Sequence, residues 1–511
     1  MRGPHNLWRL IRTGATFERT GAMNVALRAM EVSPRLRLAA HLLGWPFRWL
    51  GLKGDPALPP VTRALTALGP AYIKFGQTLS TRPDIVGHEL AGQLKYLQDK
   101  LPPFPLDQAR AAVEAELGRP LDSLFSSFSE PVAAASIAQV HRAHRADTGE
   151  AVAVKILRPG IERAFRRDID AFYLAAHWIE RLAPFSRRLR PVDVIAHFES
   201  IVQGELDLRL ECASAAEFAA NTAADRGLVV PPPVWPLSGR RVLTIGWAEG
   251  IGLNDLAALD AAGIDRPALA RRVLTLFLRH ALRDGLFHAD MHQGNLKALP
   301  DGRLVVYDFG IMGRIDEYTR RVYAEILMGF MRKDYRRVAE VHFEAGYVPA
   351  DRSIDAFALA LRAVGEPIFG VDASRISMAR LLAHLFEVTE QFGMQTRTEL
   401  ILLQRTMVVV EGVARSLDPH LNMWAVARPV VEGYIRTNLG PQAVMRDMAR
   451  TLRVLSRFGP RLPAMTEAAL IRVGNPDDGP HRNDAPVRRP LRTALVALAL
   501  VAAGIATGLA L

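Results

Sequence analysis

The chain has 511 residues, 49% of them hydrophobic and 23% charged, a globular composition too long for one domain at roughly 100 to 200 residues each. Two or three packed units are expected, and the single cysteine, Cys212, excludes internal disulfides and cysteine-built zinc or iron–sulfur sites and places the main body in a reducing compartment, read as the cytoplasm. The formal net charge of +11 draws nucleic acid, anionic lipid and polyphosphate ligands alike, but no nucleic-acid motif accompanies it, so no nucleic acid partner is expected.

Residues 1–59 form a basic N-terminal region, and in its first fifty residues Arg2, Arg9, Arg12, Arg19, Arg28, Arg35, Arg37 and Arg48 stand against only Glu18 and Glu31, with Trp8, Trp45, Phe47 and Trp49 between them. Such a stretch either lies on an anionic membrane surface or is a solvated helical face. No continuous apolar run follows the first arginines, which argues against a secretory signal peptide. Residues 60–130 are expected to be a helical extension, with apolar spacing through Leu65, Leu68, Tyr72 and Phe75 and a break at Pro102, Pro103 and Pro105.

The period then shortens. Residues 132–157 alternate like a hairpin, with a turn at 147–150 and an apolar strand at 151–157, and 168–220 returns to helical spacing. This predicts an α+β, two-lobed molecule: a small β-rich lobe over 131–250 and a large helical lobe over 251–473, the latter interrupted by a strand pair around 296–307. Residues 474–490 are rich in Pro, Gly, Asn, Asp and Arg and are expected to be a linker.

Residues 491–511 are expected to form a transmembrane helix. The 19 residues 493–511 carry no charge, and as a helix they would span about 28 Å against a hydrocarbon core of about 30 Å. Arg488, Arg489 and Arg492 precede them, which keeps the large body on the cytoplasmic side of a single pass. Gly504 and Gly508 form a G-x-x-x-G pair through which two such helices could make a homodimer.

Three motifs in chain order carry chemistry. Residues 151–155 read A-V-A-V-K, the pattern in which a strand lysine, here Lys155, holds the α and β phosphates of ATP. The preceding loop, Ala133, Ala134, Ala135, Ser136, Ile137, Ala138, Gln139 and Val140, keeps the spacing of a kinase glycine-rich loop with alanine in place of every glycine. It is the expected nucleotide loop, and Cβ atoms should narrow its backbone choices. Farther on, His288-Ala289-Asp290 is followed five positions later by Asn295, and Asp308-Phe309-Gly310 comes next, the order of a kinase catalytic loop and D-F-G. Phosphoryl transfer needs hard oxygen ligands for Mg²⁺, which points to Asn295 and Asp308 as metal ligands and Asp290 as the base or water-orienting carboxylate. A helix over 203–216 offers Glu205, Asp207 and Glu211; the spacing favours Glu211 as the partner of Lys155.

Together these residues resemble the UbiB family of atypical kinase-like proteins tied to ubiquinone and other prenyl-lipid metabolism. The resemblance runs over about residues 60–470 and includes Lys74-Phe75-Gly76-Gln77 as K-x-G-Q, Glu205-Leu206-Asp207 as E-x-D, and the 411–419 segment. It implies a protein-kinase-like fold in which the K-x-G-Q helices cover the nucleotide pocket, with Lys74, Gln77, Glu205 and Asp207 as pocket-covering residues. ATP and Mg²⁺ are the implied cofactors, and the implied action is ATP hydrolysis or small-molecule chemistry rather than broad protein phosphorylation. Implied partners are a polyprenyl-phenol or quinone-like lipid, other quinone-biosynthesis proteins and the cytoplasmic (inner) membrane with its anionic lipids. Met291 and Gln293 stand where the family has prolines, so the catalytic loop is expected to be less rigid.

Two other readings remain open. One is a nucleotide-regulated, non-catalytic scaffold of the quinone pathway. The other is a 2-polyprenylphenol hydroxylase component, which the absence of a G-x-G-x-x-G dinucleotide fingerprint opposes.

Overall fold

Alternating burial along residues 125–157 builds a hairpin ladder of β1 (Phe125–Ala134), β2 (Ala138–Arg145) and β3 (Ala151–Leu157), to which β5 (Val242–Gly246) is added on the far side of β3. The sheet is antiparallel throughout, and Lys155 stands opposite Val140 on one side and Leu243 on the other. Val152, Val154 and Ile156 face a core with Phe104, Val113 and Leu124. Because side chains alternate along a strand, Lys155 falls on the opposite face. The sheet begins at Phe125, so the expected lobe boundary at 131 cuts through its first strand. This computed structural model describes residues 4–29, 34–80, 88–94, 102–182, 190–369 and 398–438, with isolated positions besides.

The helices before the sheet are α1 (Pro4–Thr20), α2 (Ala22–Ala29), α3 (Pro34–Gly44), α4 (Pro60–Leu68), α5 (Pro70–Ser80), α6 (His88–Leu94), α7 (Leu106–Leu117) and the single turn α8 (Leu121–Leu124). A 3-10 turn, Trp45–Leu50, follows α3. Gly118 ends α7 in the left-handed region at φ 66°, a helix stop that costs glycine little. Three longer helices come after β3: α9 (Ile161–Leu182), α10 (Pro191–Glu205) and α11 (Leu208–Thr222). The continuous helix expected over 203–216 is therefore two helices. Asp207 is an N-cap, its carboxylate accepting from the Arg209 amide at 3.1 Å, and such a cap starts a new helix. Tyr72, Leu94, Phe165, Phe198 and Leu208 share one core, joining the N-terminal helices to this second group.

The helical lobe holds β4 (Leu228–Val229), β6 (Ile251–Gly252), α12 (Leu256–Ala261) and α13 (Arg266–Arg279). The last helix runs into a π-helical turn, His280–Asp284, closed by Gly285 at φ 66°. Next come β7 (Leu286–His288), β8 (Leu296–Ala298), β9 (Leu304–Val306) and β10 (Met312–Arg314). The pair expected at 296–307 is β8 and β9, antiparallel, within a sheet ordered β4-β9-β8-β6; β7 pairs separately with β10. Helices α14 (Glu317–Arg332), α15 (Tyr335–Glu344), α16 (Ile354–Phe369), α17 (Thr398–Leu417) and α18 (Met423–Asn438) complete it. Leu274, Phe277, Phe287, Leu304, Met407 and Val410 lie in its main core.

The chain divides into two compact units, Met1–Asn438 and Leu439–Leu511, and all the elements above belong to the first. The segments 474–490 and 491–511, expected to be linker and membrane span, lie outside the described residues. No helix among the described residues is long and apolar enough to cross a membrane.

Candidate nucleotide site

The Lys155 ammonium leaves the face of β3 and lies 2.9 Å from both carboxylate oxygens of Glu211, one turn into α11, and 3.2 Å from Oδ1 of Asp308. Glu211 is the expected partner, and the cap at Asp207 sets where its helix begins. Burial alone would push the lysine down, but the charges of Asp308 and Glu211 hold it well above its ordinary value. The same lysine holds Asp308 well below the usual carboxylate range, against the effect of burial. Burial pushes Glu211 up to about 7 despite its bond to Lys155. Asp308 has φ 65°, a left-handed conformation that aspartate tolerates better than most residues.

Asn295 and Asp290 form the second half of the site. The buried Asn295 amide donates from Nδ2 to the Asp290 backbone oxygen at 3.0 Å and to its Oδ2 at 3.3 Å, which leaves Asn295 Oδ1 for a cation. His288, fully buried and held below its ordinary value chiefly by desolvation, accepts from the Asp290 amide at 3.1 Å.

The two positions where the family has prolines both have tertiary contacts. Met291 is buried in the main core, and the Gln293 amide donates to Ser416 Oγ at 2.6 Å. Thr406 Oγ1 donates to the Ala289 carbonyl at 3.2 Å, and Tyr307 Oη to that of Gly294. Side-chain bonds thus run from α17 and from the end of β9 to this loop.

The alanine-rich loop closes tightly, the Ala135 amide donating to the Ala138 carbonyl at 2.8 Å. Arg158 grips the Ala135 carbonyl through two nitrogens, at 3.1 and 2.9 Å. Ala133 is exposed and Ala134, Ala135 and Val140 are half-buried, whereas Ser136, Ile137 and Ala138 are buried, the last two in the core shared with the N-terminal helices. The buried Gln139 side chain bonds the Phe104 backbone at 2.9 and 3.3 Å and His141 at 2.8 Å. Of the pocket-covering residues, Lys74 on α5 meets Glu205 at the end of α10, 2.8 Å away. Asp207 caps α11 and pairs with Arg209 at 2.6 Å, and the Gln77 side chain donates to the Leu97 carbonyl at 3.5 Å.

Comparison with known proteins decides the lineage. Residues 96–342 match the ABC1 atypical kinase-like domain and 361–422 the UbiB helical domain. A Marinobacter nauticus protein named probable protein kinase UbiB is 38% identical over 80% of this chain and 76% of its own length. The chain belongs to the UbiB family. Relatives of the same name from Azotobacter vinelandii (38% identical over 92% of this chain and 87% of theirs) and Xanthomonas axonopodis pv. citri (40% over 88% and 85%) extend the match. A solved structure, that of Mycobacterium tuberculosis Rv3197 in complex with erythromycin, is 26% identical with a TM-score of 0.52, covering 70% of this chain and 91% of that one.

In this UbiB-family chain, sequence reasoning missed the buried carboxylate of Asp225. It meets Arg279 at 3.1 Å, His280 at 3.2 Å and Arg283 at 2.8 Å, tying the residues after α11 to the π-helical turn that leads into β7. It also missed Arg158, whose only sequence signal is a charge just after a strand. The donor set fits Mg²⁺ with nucleotide: Asp308 and the Asn295 amide offer hard oxygen atoms, and Lys155 faces the Asp308 carboxylate. No group of three or more His, Cys, Asp or Glu among the described residues could hold a metal alone.

Proposed function

We propose that this chain is an ATP-binding atypical kinase-like protein, acting as an ATPase, that supports ubiquinone biosynthesis by acting on, or giving access to, membrane-bound polyprenyl-phenol intermediates. The observation that carries the reading is Lys155 held between Glu211 and Asp308, with the Asn295–Asp290 pair completing the kinase set. The pathway assignment rests on the relatives' UbiB name.

Lys155 binds the α and β phosphates, oriented by Glu211. Asp308 and Asn295 would hold Mg²⁺, which would supply neutralisation of the phosphate charge. Asp290 orients the attacking water, or the hydroxyl of a small lipid, and accepts its proton. The Lys74–Glu205 pair ties α5 to the end of α10, which supports a covered pocket that excludes protein substrates. The large unit sits in the cytoplasm, anchored by residues 491–511 in the inner membrane and touching other quinone-biosynthesis proteins.

A thermal-shift titration with ATP and ADP, each with and without Mg²⁺, tests this on the native chain and Asp308→Asn. A ligand that binds only the folded state raises its melting temperature. Stabilisation that needs Mg²⁺ and vanishes in the variant is expected. No shift with either nucleotide would remove ATP chemistry and leave the scaffold reading.

A further inference from the structure

Between α1, the α4–α5 pair and α9 lies a cavity of about 560 Å³, within the ~300–1,000 Å³ range of small-molecule sites. None of its lining residues belongs to the Lys155 cluster. Its charge is one-sided. The buried Asp168 carboxylate is taken by Arg9, while Arg12 and Arg167 also line the cavity. Both are exposed, and among the described residues neither has a hydrogen-bonded carboxylate of its own.

The remaining lining is largely apolar. Leu52, Leu68 and the Tyr72 ring contribute to it, and the Tyr72 hydroxyl is already engaged by Thr13 Oγ1 at 2.6 Å. Trp8, 53% exposed, also lines the cavity, and Leu7 and Ile11 are exposed on the same helix. Large apolar side chains grouped beside cations are costly to leave in water without a ligand or surface to cover them. An inorganic anion would use the guanidinium groups and leave the apolar wall bare; a neutral hydrocarbon would do the reverse.

We propose that this cavity binds an amphiphile with a phosphate head, Arg12 and Arg167 receiving the head and Leu52, Leu68 and Trp8 the first part of its chain. Guanidinium groups present planar paired donors that match phosphate oxygens, and two of them suit a head with several charged oxygens.

The test uses the full-length protein in a non-ionic detergent without nucleotide, so its outcome does not depend on the ATP reading. Binding of 1-oleoyl lysophosphatidic acid, lysophosphatidylcholine and inorganic phosphate is followed by thermal shift. Lysophosphatidic acid is expected to bind saturably, at least tenfold more tightly than either of the others. Arg12→Gln with Arg167→Gln should weaken it at least tenfold while the unliganded protein still unfolds cooperatively, since both side chains are exposed. Ala67→Phe, which fills the cavity from α4, should weaken it as well. Equal binding of lysophosphatidylcholine would mean a merely apolar surface, and equal binding of inorganic phosphate a simple anion site. Either of those outcomes, or undiminished binding in the arginine variant, overturns the proposal.

Discussion

The ammonium of Lys74 and the carboxylate of Glu205 meet at 2.8 Å with only 16% and 15% of their side chains exposed. Removing one partner of so enclosed a pair leaves the other without compensation. Lys74→Met and Glu205→Gln should each destabilise the chain. A double-mutant cycle on denaturant unfolding should return an interaction energy of about 1 kcal/mol or more, in the ~0.5–3 kcal/mol range of contacting residues. Additive effects would mean that the pair ties nothing together.

Gly313 on β10 is fixed by its neighbour across the ladder. A Cβ there would come within 2.1 Å of the Phe287 ring, which is buried against Phe277 on the other side. Gly313→Ala should cost about 1–3 kcal/mol as overpacking of a filled core. Phe287→Leu in the same chain should recover part of that loss. Since Phe287 directly precedes His288, the single variant should also lower ATPase turnover, read by phosphate release.

Legibility in the sequence followed the range of the interaction. Lys155, Asp290, Asn295 and Asp308 stand out in the sequence because a strand end, a loop spacing and D-F-G are local patterns, and Glu211 because it lies four positions from Asp207. The alternation through 151–157 gave β3 its burial. What was missed depends on distant partners. Gln139 looks like a loop residue until its bonds to Phe104, 35 positions away, are seen. The bond that Gln293 makes to Ser416 is equally invisible locally, because its partner is 123 positions on. The break at Asp207 was locally legible as an aspartate N-cap, but the helical period on both sides obscured it.

Asp225 should set part of the acid sensitivity. Burial pushes its carboxyl up, but hydrogen bonds from His280 and Arg283 and the Arg283 charge pull it well below the usual range. A carboxyl lower in the native than in the unfolded chain contributes stability above the unfolded value of about 3.9, and that contribution is lost as pH falls through it toward the native value. Asp225→Asn should therefore cost about 3 kcal/mol or more near neutral pH, because Arg279 and Arg283 lose a buried counter-ion. The gap between native and variant should narrow as pH drops below about 4. Denaturant midpoints from pH 3 to 7 would check this, and a constant gap would exclude the linkage.

Asp290 separates an enzyme from a scaffold, because its neighbours divide binding from turnover. Its carboxylate accepts from the Asn295 amide, whereas Lys155 bonds Glu211 and Asp308, so phosphate binding through Lys155 and Asp308 should survive its loss. Asp290→Ala should keep the Mg²⁺-dependent thermal shift with ATP while phosphate release falls by roughly 10²–10⁴-fold, the usual contribution of a positioned acid or base. If that variant also fails to support quinone production in cells lacking the native protein, turnover is what the pathway requires. Full complementation by a variant that binds ATP but does not hydrolyse it would mean that nucleotide only sets the shape of the chain, and the ATPase reading would fall with it.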